Sequence, residues 1–107
     1  MNNEYNQLQI LRSIKEDISQ PSIAKEVGFS VGKVNFILKA LVQKGLVKSE
    51  KFINSNNKMK YSYLLTDEGI KTKMSLTKKF IKRKKTEYEE LQRELEADTL
   101  KWAAQAK

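Results

Sequence analysis

Residues 19–52, SQPSIAKEVGFSVGKVNFILKALVQKGLVKSEKF, with NSNNK at 54–58 and MKYSYLLTDEG at 59–69, decide how this chain folds. Each junction in this stretch carries a local signal. Ser19 is a helix cap with Pro21 in the first turn, where a missing N–H costs nothing. Ile23, Ala24 and Val27 supply a buried stripe, and Gly28 ends it as a left-handed stop. Ser30 caps a further helix through about Lys44, which Gly45 stops. Two helices separated by a Gly-containing turn of about three residues have helix-turn-helix spacing. Leu46 to Ile53 then reads as a strand with Val47 and Phe52 inward, and Asn54–Ser55–Asn56–Asn57 as a turn cluster. Met59 to Leu65 alternates, placing Tyr61, Tyr63 and Leu65 on one face. Thr66 with Asp67 and Glu68 starts another helix, with the acids at its positive end.

Working outward, Leu8, Ile10, Leu11, Ile14 and Ile18 recur at helical spacing and predict a first helix over residues 4–16. No Pro follows residue 21 and no Gly follows residue 69, so the final helix is expected to run almost to the C-terminus. The expected class is mainly α with a small β-hairpin. Residues 1–69 form a winged helix-turn-helix, and 70–107 a long C-terminal coiled-coil helix suited to dimerisation.

Bulk properties agree. The 107 residues suffice for one domain plus an extension. Lys+Arg number 21 against 13 Asp+Glu, a net charge of +8, which favours a polyanionic partner. Cys and His are both absent. Their absence removes disulfide frameworks, thiolate nucleophiles, Cys/His zinc sites and the commonest general acid/base. With no phosphate-binding Gly loop and no acid cluster at metal spacing outside the 87–98 helix, no catalytic residue, metal site or cofactor is expected. No apolar run approaches the length of a membrane span and MNNEYNQLQ is no signal peptide, so a cytoplasmic location is expected.

In the third helix Val34, Ile37, Leu38 and Leu41 recur at three- and four-residue spacing and face the core. Val31, Gly32, Lys33, Asn35, Phe36 and Lys39 are left outward. The Asn35 amide can bond adenine N6 and N7 together, Lys33 and Lys39 can reach guanine or phosphate, and Phe36 or Val31 can meet a thymine methyl. Ser30 at the helix N-terminus suits a backbone phosphate. A merely solvated face, with Phe36 packed on the first helix, is the competing reading. Gly32 costs ~1 kcal/mol relative to Ala inside a helix; close approach to DNA is one gain, a frayed first turn the alternative. The hairpin tip, with Asn56, Asn57, Lys58 and Lys60, can lie over a minor groove or a phosphate run, or be an ordinary solvated turn.

These motifs resemble the MarR family of winged-helix transcriptional regulators. The residues that carry the likeness are Ile23-Ala24-Lys25-Glu26-Val27-Gly28, Ser30 with Val34, Leu41 to Gly45-Leu46-Val47, and Leu65-Thr66-Asp67-Glu68-Gly69, which matches the family's LTxxG signature. The likeness covers residues 5–75. The whole length, including the Lys-rich helix ending in EYEEL, is similar to the small MarR-type regulators associated with exopolysaccharide gene clusters. Where the family's wing carries Asp-Arg-Arg, with its arginine in the minor groove, this chain has Asn57-Lys58-Met59, so the resemblance gives that role to Lys58. The phenolic effector pocket of longer members has no polar–aromatic counterpart in this sequence, and the effector is left open.

The C-terminal helix carries a heptad seam: Ile70, Met74, Thr77, Ile81, Lys84, Tyr88, Leu91, Leu95, Asp98 and Trp102 follow alternating four- and three-residue steps. Leu76 and Phe80 fall off the seam and are expected to pack back on the winged domain. Residues 71–85 hold eight basic side chains and no acid, and 87–98 hold six acids and one Arg. An antiparallel homodimer sets each basic half against the partner's acidic half, whereas a parallel one aligns plus with plus. With the twofold near Thr86, Ile81 faces Leu91, Thr77 faces Leu95 and Lys84 meets Tyr88. A seam of about 30 residues is ~45 Å long, with a winged domain near each end. Too little apolar face remains for a membrane helix.

The sequence thus points to a homodimeric, sequence-specific double-stranded DNA-binding regulator, a repressor that occludes a promoter. A non-specific architectural nucleoid protein, or a winged-helix adaptor that binds protein, shares the same layout. Operator specificity separates the first from the second; salt-independent partner binding marks the third.

Overall fold

A computed structural model describes residues 3–15, 18–53, 56 and 59–106. The elements run α1 (Asn3–Ser13), α2 (Gln20–Val27), α3 (Val31–Gln43), β1 (Val47–Ile53), β2 (Met59–Leu65) and α4 (Asp67–Gln105). One compact unit extends to Thr77 and a second begins at Lys78.

The caps sit where the sequence puts them. The Ser22 N–H donates to Ser19 Oγ, and the Lys33 N–H donates to Ser30 Oγ at 3.1 Å. Gly28 and Gly45 both adopt φ +77°, the left-handed conformation that ends a helix without a Cβ clash. Helix α1 stops at Ser13, short of the expected residue 16. The Ser13 hydroxyl donates to the Ile10 carbonyl and the Ile14 N–H to the Leu11 carbonyl, an i→i−3 closure that tightens and ends the last turn.

The core is where α1, α2 and α3 bring together Ile10, Leu11, Ile23, Val34, Leu38 and Leu41, all essentially inaccessible. Each contributes about 1.5–3 kcal/mol of burial. Val34, Ile37, Leu38 and Leu41 are the inward face of α3, as their spacing predicts.

The hairpin pairs β1 with β2 antiparallel, in a register from Val47↔Leu65 to Ile53↔Met59. Val47 is buried; the Phe52 side chain lies outside the described residues. The expected shared face of Tyr61, Tyr63 and Leu65 is only partly covered. Tyr63 is buried, Leu65 is half-buried and Tyr61 is exposed. The alternation is right, but Tyr61 lies further toward the tip of a two-stranded ribbon, beyond the helices that cover Tyr63. On the opposite face Ser62 is buried.

The join from hairpin to α4 explains the Leu-Thr-Asp-Glu-Gly run. The Thr66 hydroxyl donates to the Gly45 carbonyl at 2.7 Å and accepts from the Gly69 N–H at 2.9 Å. The Thr66 N–H donates to the Leu46 carbonyl at 3.1 Å. One threonine therefore caps α4 and ties it to the end of α3. A Cβ added at Gly69 would overlap the Leu46 carbonyl, so the backbones meet only because this residue has no side chain.

Candidate nucleic-acid interface

Helix α3 presents two flanks around an outward ridge. At its start Ser30 is exposed, Val31 is 49% exposed, and a Cβ at Gly32 would meet nothing within 4 Å. Phe36 is the most exposed large apolar side chain of α3, at 75%. It borders a shallow cleft with Asn6 and Gln7 of α1, together with Lys33 and Ala40. The Lys33 ammonium lies 3.9 Å from the Phe29 ring centroid, a cation–π contact that holds it near the helix start.

Asn35 and Lys39 occupy the other flank. With Gln20 of α2, Val42 and Gln43 of α3, and Ser49, Tyr61 and Tyr63 of the hairpin, they line a groove of about 470 Å³ between α3 and the wing. Asn35 is half-buried, and its Oδ1 accepts from Gln20 Nε2 at 2.8 Å. Lys39 is exposed.

The Tyr63 hydroxyl has its pKa raised above the ordinary 10.0, chiefly by burial. The hydrogen bond with Gln20 opposes that shift and neighbouring Tyr61 adds to it. On the wing, Asn56 and Lys60 are exposed, while Asn57 and Lys58 lie outside the described residues. Lys51 extends over the Tyr61 ring at 5.8 Å from its centroid.

Sequence periodicity separated inward from outward on α3 but missed the groove. Gln20 carries no signal as a helix-start residue, and the alternation of Tyr61 and Tyr63 marks only a sheet face. Their approach to Asn35 depends on how α2 and the hairpin pack, which no local pattern encodes.

The C-terminal unit is helical from Lys78 to Gln105 and offers a second exposed surface. Of the seam, Ile81 (62%), Tyr88 (60%), Leu91 (64%), Leu95 (67%) and Trp102 (71%) are open to solvent, as is Lys84. In the first unit, Ile70 and Met74 are exposed and Thr77 is half-buried, its hydroxyl donating to the Lys73 carbonyl at 2.7 Å. Leu76 and Phe80, predicted to lie off the seam, are buried. Among the described residues no helix is long and apolar enough to cross a membrane.

A profile of the family described as winged helix-turn-helix DNA-binding matches residues 4–48. No curated protein matches the chain. Among solved structures, a PadR family transcription regulator from Clostridium difficile is 27% identical, with a TM-score of 0.67 over 77% of this chain and 93% of that one. MepR, a transcription regulator of the Staphylococcus aureus multidrug efflux pump MepA, is 20% identical, with a TM-score of 0.58 over 100% of this chain and 80% of its own. Staphylococcus aureus MarR, in complex with salicylate and kanamycin, is also 20% identical, with a TM-score of 0.59 over 77% of this chain and 55% of its own. The chain is a winged helix-turn-helix protein, similar in fold to MarR-like transcription regulators, and its residues 4–48 match that DNA-binding motif.

Proposed function

We propose that this protein is a cytoplasmic, homodimeric, sequence-specific double-stranded DNA-binding regulator that represses by occluding a promoter. The observation that carries the reading is the outward side of α3, where Val31, Phe36 and Lys39 stand exposed beside a groove bounded by the wing. A helix in a major groove and a hairpin over the adjacent minor groove are separated by one sugar-phosphate strand. Lys39, exposed at the edge of the groove nearest the hairpin side of α3, suits a phosphate of that strand. Ser30 and the free N–H groups of the first α3 turn take a second phosphate. Asn35, with Phe36 and Val31, supplies base choice. Asn56, Asn57, Lys58 and Lys60 serve the wing contact.

The exposed seam of α4, with Ile70, Met74, Thr77, Ile81, Lys84, Tyr88, Leu91, Leu95 and Trp102, is the proposed dimer surface. Exposed apolar seam residues such as Ile81, Tyr88, Leu91, Leu95 and Trp102 are what a coiled-coil partner covers. Two copies of α3 would then read two half-sites of an inverted repeat.

The deciding experiment is selection from random-sequence duplex DNA over several rounds of binding. Enrichment of an inverted repeat is the expected result. Binding without enrichment would replace this reading with an architectural role, and no binding even at low salt would leave only a protein adaptor. Asn35→Ala should relax the preference at one position per half-site. Lys58→Ala should weaken all sequences alike and lower the salt slope by about one unit.

A further inference from the structure

Asn35 does not stand alone on its flank of α3. Gln20, the first residue of α2, donates from Nε2 to Asn35 Oδ1 at 2.8 Å, in a partly buried contact between residues fifteen apart in the chain. Tyr63 of β2 lines the same groove. One side-chain hydrogen bond thus links α2 to α3 beside the hairpin. Its backbone is held in place as well. Ser19 caps α2, and Ile18 bridges to Tyr63 just before that cap. Gln20 therefore meets Asn35 from a fixed base.

An Asn side chain has one edge that only accepts and one that only donates. A free Asn on a helix surface can turn either edge outward by rotating about its last bond, and so reads base donors and base acceptors without distinction. Gln20 sets that choice in the structure: its Nε2–H donates to the oxygen, so the paired amides are turned with both Nδ2 hydrogens left for an acceptor outside the protein.

We infer that Gln20 is a positioning residue for base recognition: by holding Asn35 Oδ1 toward α2, it commits Asn35 to donate to a base acceptor at one position of each half-site. Purine N7, guanine O6 and thymine O4 qualify, whereas cytosine presents only its N4 donor. Adenine stays in the accepted set, because the second lone pair of Oδ1 can still take its N6–H while Nδ2 donates to N7. Cytosine on the contacted strand is the base refused.

This inference rests on the proposed reading that α3 enters the major groove, and the test separates the two. Binding of the full-length wild type, Gln20→Ala, Gln20→Glu, Asn35→Ala and the Gln20→Ala/Asn35→Ala double variant is measured on duplexes that vary each base pair of the selected site in turn. The readout is the ratio of affinities between duplexes for one protein. A loss of folded protein scales every duplex equally and cancels from that ratio.

Wild type should disfavour cytosine at one position by about 5- to 150-fold, the range for a good base contact. Gln20→Ala should relax that position alone, and the double variant should relax it no further than Asn35→Ala does. Gln20→Glu should go further and reverse it. A carboxylate only accepts, so Asn35 must turn Nδ2 inward and offer Oδ1 to the base, raising cytosine and adenine over guanine and thymine.

Two results overturn the inference and differ in what else they remove. If Asn35→Ala relaxes a position that both Gln20 variants leave as in wild type, or weaken only along with every other position, Gln20 is structural and the DNA reading stands. If Asn35→Ala leaves every position unchanged, the assignment of the reading face falls too.

Discussion

At the scale of single residues, three positions carry opposite expectations that one structure explains. A Cβ at Gly32 meets nothing within 4 Å, so Gly32→Ala fits the free protein. It should raise thermal stability by roughly 0.5–1 kcal/mol through helix propensity. If the first turn of α3 lies against DNA, the same methyl should weaken binding; a stabilised protein with unchanged affinity would place the DNA elsewhere. Gly69→Ala is the converse. Its Cβ would overlap the Leu46 carbonyl at the α4 start, and denaturant titration should show a loss of about 1–3 kcal/mol. Tyr63 sets an alkaline limit. Its native pKa lies above the ordinary 10.0 because burial disfavours the phenolate. Above pH 10 the unfolded chain loses a proton that the native state keeps, so stability present below that pH falls as pH rises through the native value. Tyr63→Phe should flatten that limb of the stability curve, measured against wild type between neutral and alkaline pH.

The helix-turn-helix was legible because its signals are local. A serine three residues before the N–H it caps, or a glycine at a left-handed stop, marks a boundary whatever the rest of the chain does, and Ser19, Gly28, Ser30 and Gly45 all sit where they were read. The candidate interface was legible only by halves. Periodicity sets Val34 and Leu38 inward and Phe36 outward, yet cannot tell that Phe36 borders a cleft shared with α1 while Asn35 bonds Gln20 and lines a groove shared with the hairpin. Those arrangements join separate elements and leave no mark on spacing. Helix α4 raises a different issue, since residues 78–105 are helical yet expose nearly every apolar side chain beyond Phe80. A helix without tertiary cover is marginal in water. Ile81→Asp with Leu95→Asp should therefore give a monomer in sedimentation, and lower far-ultraviolet helical signal as this segment frays. Retained helicity in a monomer would mean that local pairs alone hold it.

The whole molecule poses the question of direction. Eight basic side chains between 71 and 85 and six acids between 87 and 98 divide α4 into halves of opposite sign. Two copies side by side in parallel repel along both halves; antiparallel, each half meets its complement. The chain has no cysteine, so introduced thiols report geometry without background. With a twofold near Thr86, Ile81 of one copy lies by Leu91 of the other. Mixing Ile81→Cys with Leu91→Cys protein under mild oxidation should yield the mixed disulfide, while neither variant cross-links well with itself. Parallel packing reverses the pattern, because each residue then meets its own counterpart. Salt gives an independent reading of the same charges. Raising ionic strength toward 1 M shortens the screening length from about 10 Å to about 3 Å. An antiparallel dimer loses attraction and should dissociate more readily, whereas a parallel one loses repulsion and tightens. Agreement of disulfide pattern and salt response would establish both the proposed dimer and its direction.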